Sequence, residues 1–286
     1  MDSKLKQLLT EILDNKITAV LPELGGDISE AYKISTQYHS YFIKINGKSD
    51  ALKMFHEEAK GLNEIQKSGT ILTPNVIHVG SINSKAFLLL EYVESKKPSN
   101  EEMYAFGEDL AKLHECSHQT FGWESSNFIG SLPQQNLIFE NWVEFYFLQR
   151  LKPQLQIAFS SGRLLPGECP SEHSIIKNLN SLLGTPKPSL LHGDLWGGNF
   201  LISLSGQAYL IDPASYYGHS EVDIAMTKLF GGFNSAFYQG YFSKNASSSG
   251  LEARIDIYQL YYLLVHLNLF GQSYKGSVTR ILKTYF

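Results

Sequence analysis

The residues best suited to chemistry fall in two runs, Leu190-Leu-His-Gly-Asp-Leu-Trp-Gly-Gly-Asn-Phe200 and Tyr209-Leu-Ile-Asp-Pro-Ala214. Asp194 and Asn199 lie on a glycine-rich loop after an apolar strand, and Asp212 closes a second apolar strand. Oxygen donors from Asn199 and Asp212 suit a hard divalent cation such as Mg2+. Asp194 is then left to meet a substrate hydroxyl. The competing reading of one such run is a turn capped by its own carboxylates. Two runs in this order and spacing favour a catalytic site.

The spacing matches the catalytic loop of protein kinases, here His192-Gly-Asp194-Leu-x-x-x-Asn199. Asp212 stands where the metal-binding Asp of the D-F-G motif stands, with Pro213-Ala214 in place of Phe-Gly. H-G-D and D-P-A are the forms used by small-molecule kinases of the aminoglycoside phosphotransferase type. The implied cofactors are ATP and Mg2+. Asp194 is the expected catalytic base, Asn199 and Asp212 the metal ligands, and His192 a structural residue.

A kinase also needs a cation for the phosphates. Lys44 interrupts an apolar strand, on the face opposite Tyr41, Ile43 and Ile45. A buried lysine is costly unless paired, and the next helix offers Glu58. That residue falls on the inward face with Leu52, Phe55, Leu62 and Ile65, whereas Glu57 does not. Lys44–Glu58 fits the ion pair that aims lysine at the α/β-phosphates. The bland alternative is a solvated lysine and a snorkelling glutamate.

Gly25 and Gly26, with Ser29 following, occupy the place of a nucleotide-covering loop, where glycine lets the backbone approach phosphate. Glu91, Tyr92 and Val93 end the last strand of this region, where a kinase hinge would pair its backbone with adenine. Tyr216, His219 and Glu221 are polar groups close in sequence to Asp212 and are candidates for reading sugar hydroxyls, with loop packing as the alternative. Trp196 stacks on a sugar or fills its own loop. Asp223 opens a helix and is placed to anchor the catalytic loop's backbone.

The elements that must hold these groups change character along the chain. Leu5, Leu8, Leu9, Ile12 and Leu13 form a helical stripe. Strands are expected at 31–35 and 38–45, a helix at 50–68, and strands at 75–82 and 86–93. Beyond Val93, Ser99-x-x-Glu102 is a capping box before a helical stripe. Helices are expected over 138–160, 171–183, 220–230 and 251–270, around short extended pieces at 188–192, 199–203 and 208–211. The fold class is therefore α+β: a two-lobed, protein-kinase-like fold with a small N-lobe, residues 1–93, and a larger, mainly helical C-lobe, residues 94–286.

Composition sets the outer bounds. The chain has 286 residues, 24 Lys+Arg against 28 Asp+Glu and a net charge of −4. That balance argues against coating nucleic acid or anionic membrane. Two cysteines outside any C-x-x-C pair argue against a disulfide framework or zinc knuckle. No apolar run reaches the ~20 residues of a membrane span. A cytoplasmic, monomeric protein is expected.

HGDLWGGN, DPASYYGHSEVDIA and LFGGF together resemble the fructosamine kinase (ketosamine-3-kinase) family, and MFHEEAKGL, carrying Glu58, resembles its N-lobe. The resemblance spans nearly the whole chain. It implies ATP-dependent phosphorylation of the C3 hydroxyl of fructosamines or ribulosamines, free or protein-bound. The product is unstable, so the reaction implies removal of glycation. Some members carry a cysteine in the glycine-rich loop linked to redox dimerisation. Here the loop reads Gly25-Gly26-Asp27-Ile28-Ser29, so redox control through it is not expected. The alternatives are another small-molecule phosphotransferase, of the aminoglycoside or choline kinase type, and a non-catalytic nucleotide-binding module.

Overall fold

The computed structural model describes residues 1–23 and 29–286. Gly25 and Gly26 lie outside the described residues. The chain forms two compact units: 1–97 together with 201–212, and 98–200 together with 213–286. The segment 201–212 thus belongs with the N-terminal residues, a placement that a single cut at Val93 does not contain.

In the first unit, helix α1 (Ser3–Leu13) precedes strands β1 (Ala19–Pro22), β2 (Glu30–Ser35) and β3 (Ser40–Asn46). Helix α2 (Ala51–Lys67) follows, then β4 (Val76–Ile82) and β5 (Lys85–Glu91). The strands form an antiparallel sheet in the order β1-β2-β3-β5-β4. Period-two alternation gives this sheet two cores. Ile43, Ile45, Phe87 and Leu89 pack with Leu5 and Leu9 of α1. Ala86, Leu88 and Leu90 pack with Phe55, Ala59 and Leu62 of α2. Strand β1 is an addition to the sequence expectation, since its four residues are too short to show a period.

Strand β6 (Ser95–Lys96) ends this stretch, and α3 (Asn100–Glu115) opens the second unit. Ser99 and Glu102 make the expected capping box. Next come the hairpin β7 (Asn127–Ile129) and β8 (Leu132–Gln134), then α4 (Trp142–Phe145). A π-helical turn, Tyr146–Leu151, joins α4 to α5 (Lys152–Ser160). The helix expected over 138–160 therefore starts later and widens in the middle. Pro153 explains the widening: it lacks an N–H and crowds the carbonyl of Gln149.

Helix α6 (Glu172–Leu183) is capped by Ser171, whose side chain accepts from Ser174 N–H. Strand β9 (Ser189–Leu191) leads into the catalytic-loop sequence. Strands β10 (Phe200–Ser203) and β11 (Ala208–Leu210) then join the first unit: β10 pairs with β6, and Tyr209 bridges Leu72. Strand β12 (Tyr216–Gly218) pairs antiparallel with β9. Four helices complete the chain: α7 (Glu221–Leu229), α8 (Ser235–Lys244), α9 (Leu251–Phe270) and α10 (Lys275–Tyr285). Helices α8 and α10 escaped the sequence expectation. Among the described residues, no helix is long and apolar enough to cross a membrane.

Helix α8 lies very close to α3. A Cβ on Gly107 would sit 2.1 Å from the Phe237 carbonyl oxygen, and one on Gly240 would sit 2.0 Å from that of Tyr104. Glycine at both contacts allows the approach.

Candidate active site

The first unit gathers Lys44, Glu58 and Asp212. Alternation along β3 turns Lys44 to the α2 side of the sheet, where its Nζ donates to Glu58 Oε1 at 2.8 Å. The same Nζ donates to Asp212 Oδ1. The lysine side chain is 11% exposed, so the pairing is screened from water. Burial works against the ammonium, but Asp212 and Glu58 outweigh it and hold its pKa above the usual lysine value. Burial pushes Glu58 up, and the pull of Lys44 only partly offsets it. Asp212 adopts a left-handed backbone, φ 55°, unusual for a residue with a side chain. Such strain is typical of functional positions.

Glu57 differs from the sequence expectation. It is the more buried of the two glutamates, yet its carboxylate pairs with Lys60 at 3.1 Å rather than with Lys44. Leu52, expected on the inward face, is 37% exposed.

At the end of β5, the main-chain N–H groups of Glu91 and Tyr92 are already used, by Asn75 O and Ser40 O. The Glu91 carboxylate accepts from Asn75 Nδ2 at 2.7 Å, and Tyr92 donates its hydroxyl to Glu23 at 3.1 Å. Of the three expected hinge residues, only Val93 has a main-chain N–H with no backbone acceptor among the described residues. Ser29 Oγ accepts from Asn46 Nδ2 at 3.2 Å, which ties the end of the glycine-rich segment to β3.

The second unit builds the loop bearing Asp194. Helix α7 carries Asp223, which is fully buried and accepts the main-chain N–H of His192 and of Gly193, each at 2.8 Å. Burial would raise this carboxyl. His114, His192 and the Gly193 N–H outweigh it and hold the pKa below the usual aspartate value. Tyr262 donates its hydroxyl to Gly193 O at 2.8 Å. Gly193 has φ 85°, and a Cβ there would lie 2.2 Å from the Ala214 carbonyl oxygen. Only glycine fits this turn. Ala214 N–H donates to His192 O at 2.9 Å.

Within the loop, Asn199 Nδ2 donates to Asp194 O at 2.8 Å and to Asp194 Oδ2 at 3.3 Å. That orientation leaves Asn199 Oδ1 as an oxygen donor. Asp212, 35% exposed at its side chain, supplies a carboxylate. Among the described residues, no cluster of three or more His, Cys, Asp or Glu could hold a metal. Asn199 Oδ1 in the second unit and the Asp212 carboxylate in the first are each a hard oxygen donor of the kind Mg2+ takes.

Two residues of this site escaped the sequence reading. His114 Nε2 meets Asp223 Oδ2 at 3.1 Å, and its Nδ1 meets Tyr241 Oη at 2.8 Å. The signal was there for His114: it lies four residues after Leu110 on the inward stripe of α3, and a core histidine needs a partner. Tyr241 lies on α8, which was not anticipated.

The residues expected to read sugar hydroxyls are placed differently. Tyr216 is fully buried, its ring stacked on Phe145 and under the Arg150 guanidinium. Glu221 is paired with Arg254 through two bonds of 2.6 and 2.8 Å. His219 Nδ1 contacts Tyr258 Oη at 2.6 Å, beside Trp142. All three side chains are engaged within the protein: Tyr216 on the strand β12, His219 just after it, and Glu221 at the start of α7. Trp196 is 41% exposed, and its ring covers Gly198, where a Cβ would lie 2.4 Å from the indole.

A sequence model of the family described as fructosamine kinase matches residues 1–286. A protein of Synechocystis sp. described as a ketoamine kinase is 39% identical over 262 residues, covering 91% of this chain and 87% of that one. A chloroplastic protein-ribulosamine 3-kinase of Oryza sativa subsp. japonica is 35% identical, covering 97% of this chain and 82% of that one. A solved structure from Haemophilus somnus 129PT, described as a fructosamine-3-kinase, superposes with a TM-score of 0.88 at 29% identity. It covers 99% of this chain and 96% of that one.

Proposed function

Because this chain belongs to the fructosamine kinase family, we propose that it transfers the γ-phosphoryl group of ATP to the C3 hydroxyl of a ketosamine, free or carried on a protein amine. The observation that carries the phosphotransfer reading is Lys44 held by Glu58 and Asp212. The acceptor class is supported by the relatives described as ketoamine and ribulosamine kinases.

In this reading Lys44 neutralises the α/β-phosphates, and Glu58 keeps it aimed. Val93 offers its main chain to adenine, with Glu91 and Tyr92 setting the strand end. The segment Gly25, Gly26 and Ser29 covers the phosphates. Asn199 Oδ1 and the Asp212 carboxylate hold Mg2+, which supplies charge neutralisation on the phosphate oxygens when bound. Asp194 accepts the proton of the C3 hydroxyl as its oxygen bonds to phosphorus and ADP departs. The transition state of such transfers is loose, so positioning and charge account for most of the acceleration. Trp196 is the one aromatic of the loop exposed enough to meet the sugar. The protein acts as a monomer in the cytoplasm, on neither nucleic acid nor membrane.

The test is phosphotransfer from ATP to a ribulosamine and to a fructosamine, with the phosphate located by NMR. Phosphate on C3 is expected. Transfer to an aminoglycoside or choline but to no ketosamine would move the chain to the other small-molecule kinases. Tight Mg·ATP binding without turnover of any acceptor would leave a nucleotide-binding module.

A further inference from the structure

Arg150 is fully buried. Among the described residues its hydrogen-bond acceptors are amide and carbonyl oxygens, not carboxylates. Nη2 donates to Asn136 Oδ1 at 2.6 Å, and Nη1 donates to Gln135 O at 2.6 Å and Gln149 O at 3.1 Å. Gln149 O is the carbonyl that Pro153 cannot serve. The guanidinium also lies 4.0 Å from the ring centre of Tyr216 and 4.8 Å from that of Phe145. The π turn brings Gln149, Arg150 and Leu151 inward in succession, which a regular helix would not do.

A chain of buried amides leads on from Arg150. Asn136 Nδ2 donates to Asn127 Oδ1 at 2.9 Å, and Asn127 Nδ2 donates to Ser215 O at 2.9 Å. Gln134 Nε2 donates to Asn127 Oδ1 at 2.8 Å and to Ala214 O at 3.2 Å, while Tyr261 donates its hydroxyl to Gln134 Oε1 at 2.7 Å. Asn127, Gln134 and Asn136 are each at most 5% exposed. An amide group can face either way, but a guanidinium only donates. Arg150 therefore fixes Asn136 oxygen-inward, which turns the Asn136 and Asn127 amide nitrogens outward in sequence. The polarity of the whole relay follows from one residue.

The relay ends on the carbonyls of Ala214 and Ser215. Ala214 is the residue that donates to His192 O and abuts Gly193, immediately before Asp194. We propose that Arg150, acting through Asn136, Asn127 and Gln134, is a positioning residue for phosphotransfer: it sets where the 214–215 main chain stands and so where the loop carrying Asp194 stands. The role in turnover rests on the kinase reading above. The role in holding the loop does not.

The test compares wild type with Asn127→Asp, which keeps the size of the side chain and, as the carboxylate, cannot donate to Ser215 O. Amide hydrogen exchange at Gly193 and Ala214 is measured together with kcat and KM for Mg·ATP and a ketosamine. The expected result is a folded variant with faster exchange at these two amides. Its kcat is lowered about tenfold or more while KM for Mg·ATP stays within about twofold, since small displacements at a reacting centre act on turnover. Unchanged exchange and unchanged kcat in the folded variant overturn the proposal. So does a rise in KM alone. If Asn127→Asp does not fold, Gln134→Met, near in size and unable to donate, is read by the same measurements. A wild-type protein that phosphorylates no ketosamine defeats the functional reading, and the exchange measurement then still decides whether the relay holds the loop.

Discussion

Lys44 Nζ donates to Glu58 Oε1 at 2.8 Å, joining the third strand of the sheet to the helix that follows it, fourteen residues on. With Asp212 bound to the same nitrogen, one buried cation faces two carboxylates. Lys44→Ala removes the cation and is expected to lower kcat/KM for Mg·ATP by at least ~100-fold. Glu58→Gln keeps a hydrogen-bond acceptor but loses the charge, and a loss of about tenfold is expected, in line with ~1.5–3 kcal/mol for a charged hydrogen bond. Steady-state kinetics on both variants decide this. Wild-type kinetics in Lys44→Ala would remove that residue from the reaction.

Asp194→Asn should abolish turnover while leaving nucleotide affinity near normal. Loss of a general base costs about 10²–10⁴-fold in rate. Titration calorimetry with Mg·ATP and single-turnover transfer to a ketosamine separate the two effects. A variant with substantial turnover would show that Asp194 is not the base.

Asp223 bears three hydrogen bonds from the protein interior, two from the catalytic loop's main chain and one involving His114. Asp223→Ala strands those donors without water. Leaving a buried hydrogen-bonding group unpaired costs about 1–3 kcal/mol, and losing the carboxylate from several such groups at once should lower the melting temperature of a chain of this size by roughly 10 °C. His114→Phe should cost less, because the two main-chain bonds survive. Thermal melts that rank the two in the opposite order would refute this account of the anchor.

His219 is held neutral. Burial pushes its pKa down to about 3, with the charge of Arg254 adding to the effect. An unfolded histidine titrates near 6.5. Between about 6.5 and 3 the unfolded chain binds the extra proton, so stability rises with pH in this window. The contribution is complete above about 6.5 and is lost on acidification, at up to ~1.4 kcal/mol per pH unit. Urea midpoints from pH 7.5 to 4.5 should fall more steeply in wild type than in His219→Gln. Parallel curves would rule out this histidine as the source.

Tyr216 and Trp196 should separate packing from substrate contact. Tyr216→Phe is expected to leave KM for the ketosamine unchanged, since the hydroxyl is buried. Trp196→Ala is expected to raise that KM several-fold through loss of a stacking surface worth ~1 kcal/mol. An acceptor KM that responds to Tyr216→Phe and ignores Trp196→Ala would reverse the assignment.

Local pattern in the chain already encodes several parts of this protein. Period two along β3 placed Lys44 opposite Ile43 and Ile45, and period 3.6 along α2 put Glu58 on the face toward it. The H-G-D and D-P-A runs named the residues to examine, and the capping box at Ser99 named where the second unit's first helix begins. The rest came from packing between distant segments. It assigned residues 201–212 to the first unit through pairing of β10 with β6, more than a hundred residues apart, and so brought Asp212 to Lys44. It also set Tyr216 against Phe145, Glu221 against Arg254 and His219 against Tyr258, joined His114 to Asp223 and Tyr241, and connected Arg150 to the backbone at 214–215. The physical reason is common to all of these. Strand register and helix-to-helix approach are fixed by packing between distant segments, down to the Gly107 and Gly240 contacts that seat α8 on α3. A residue's period shows which face it occupies, but its partner depends on what the rest of the chain packs against that face.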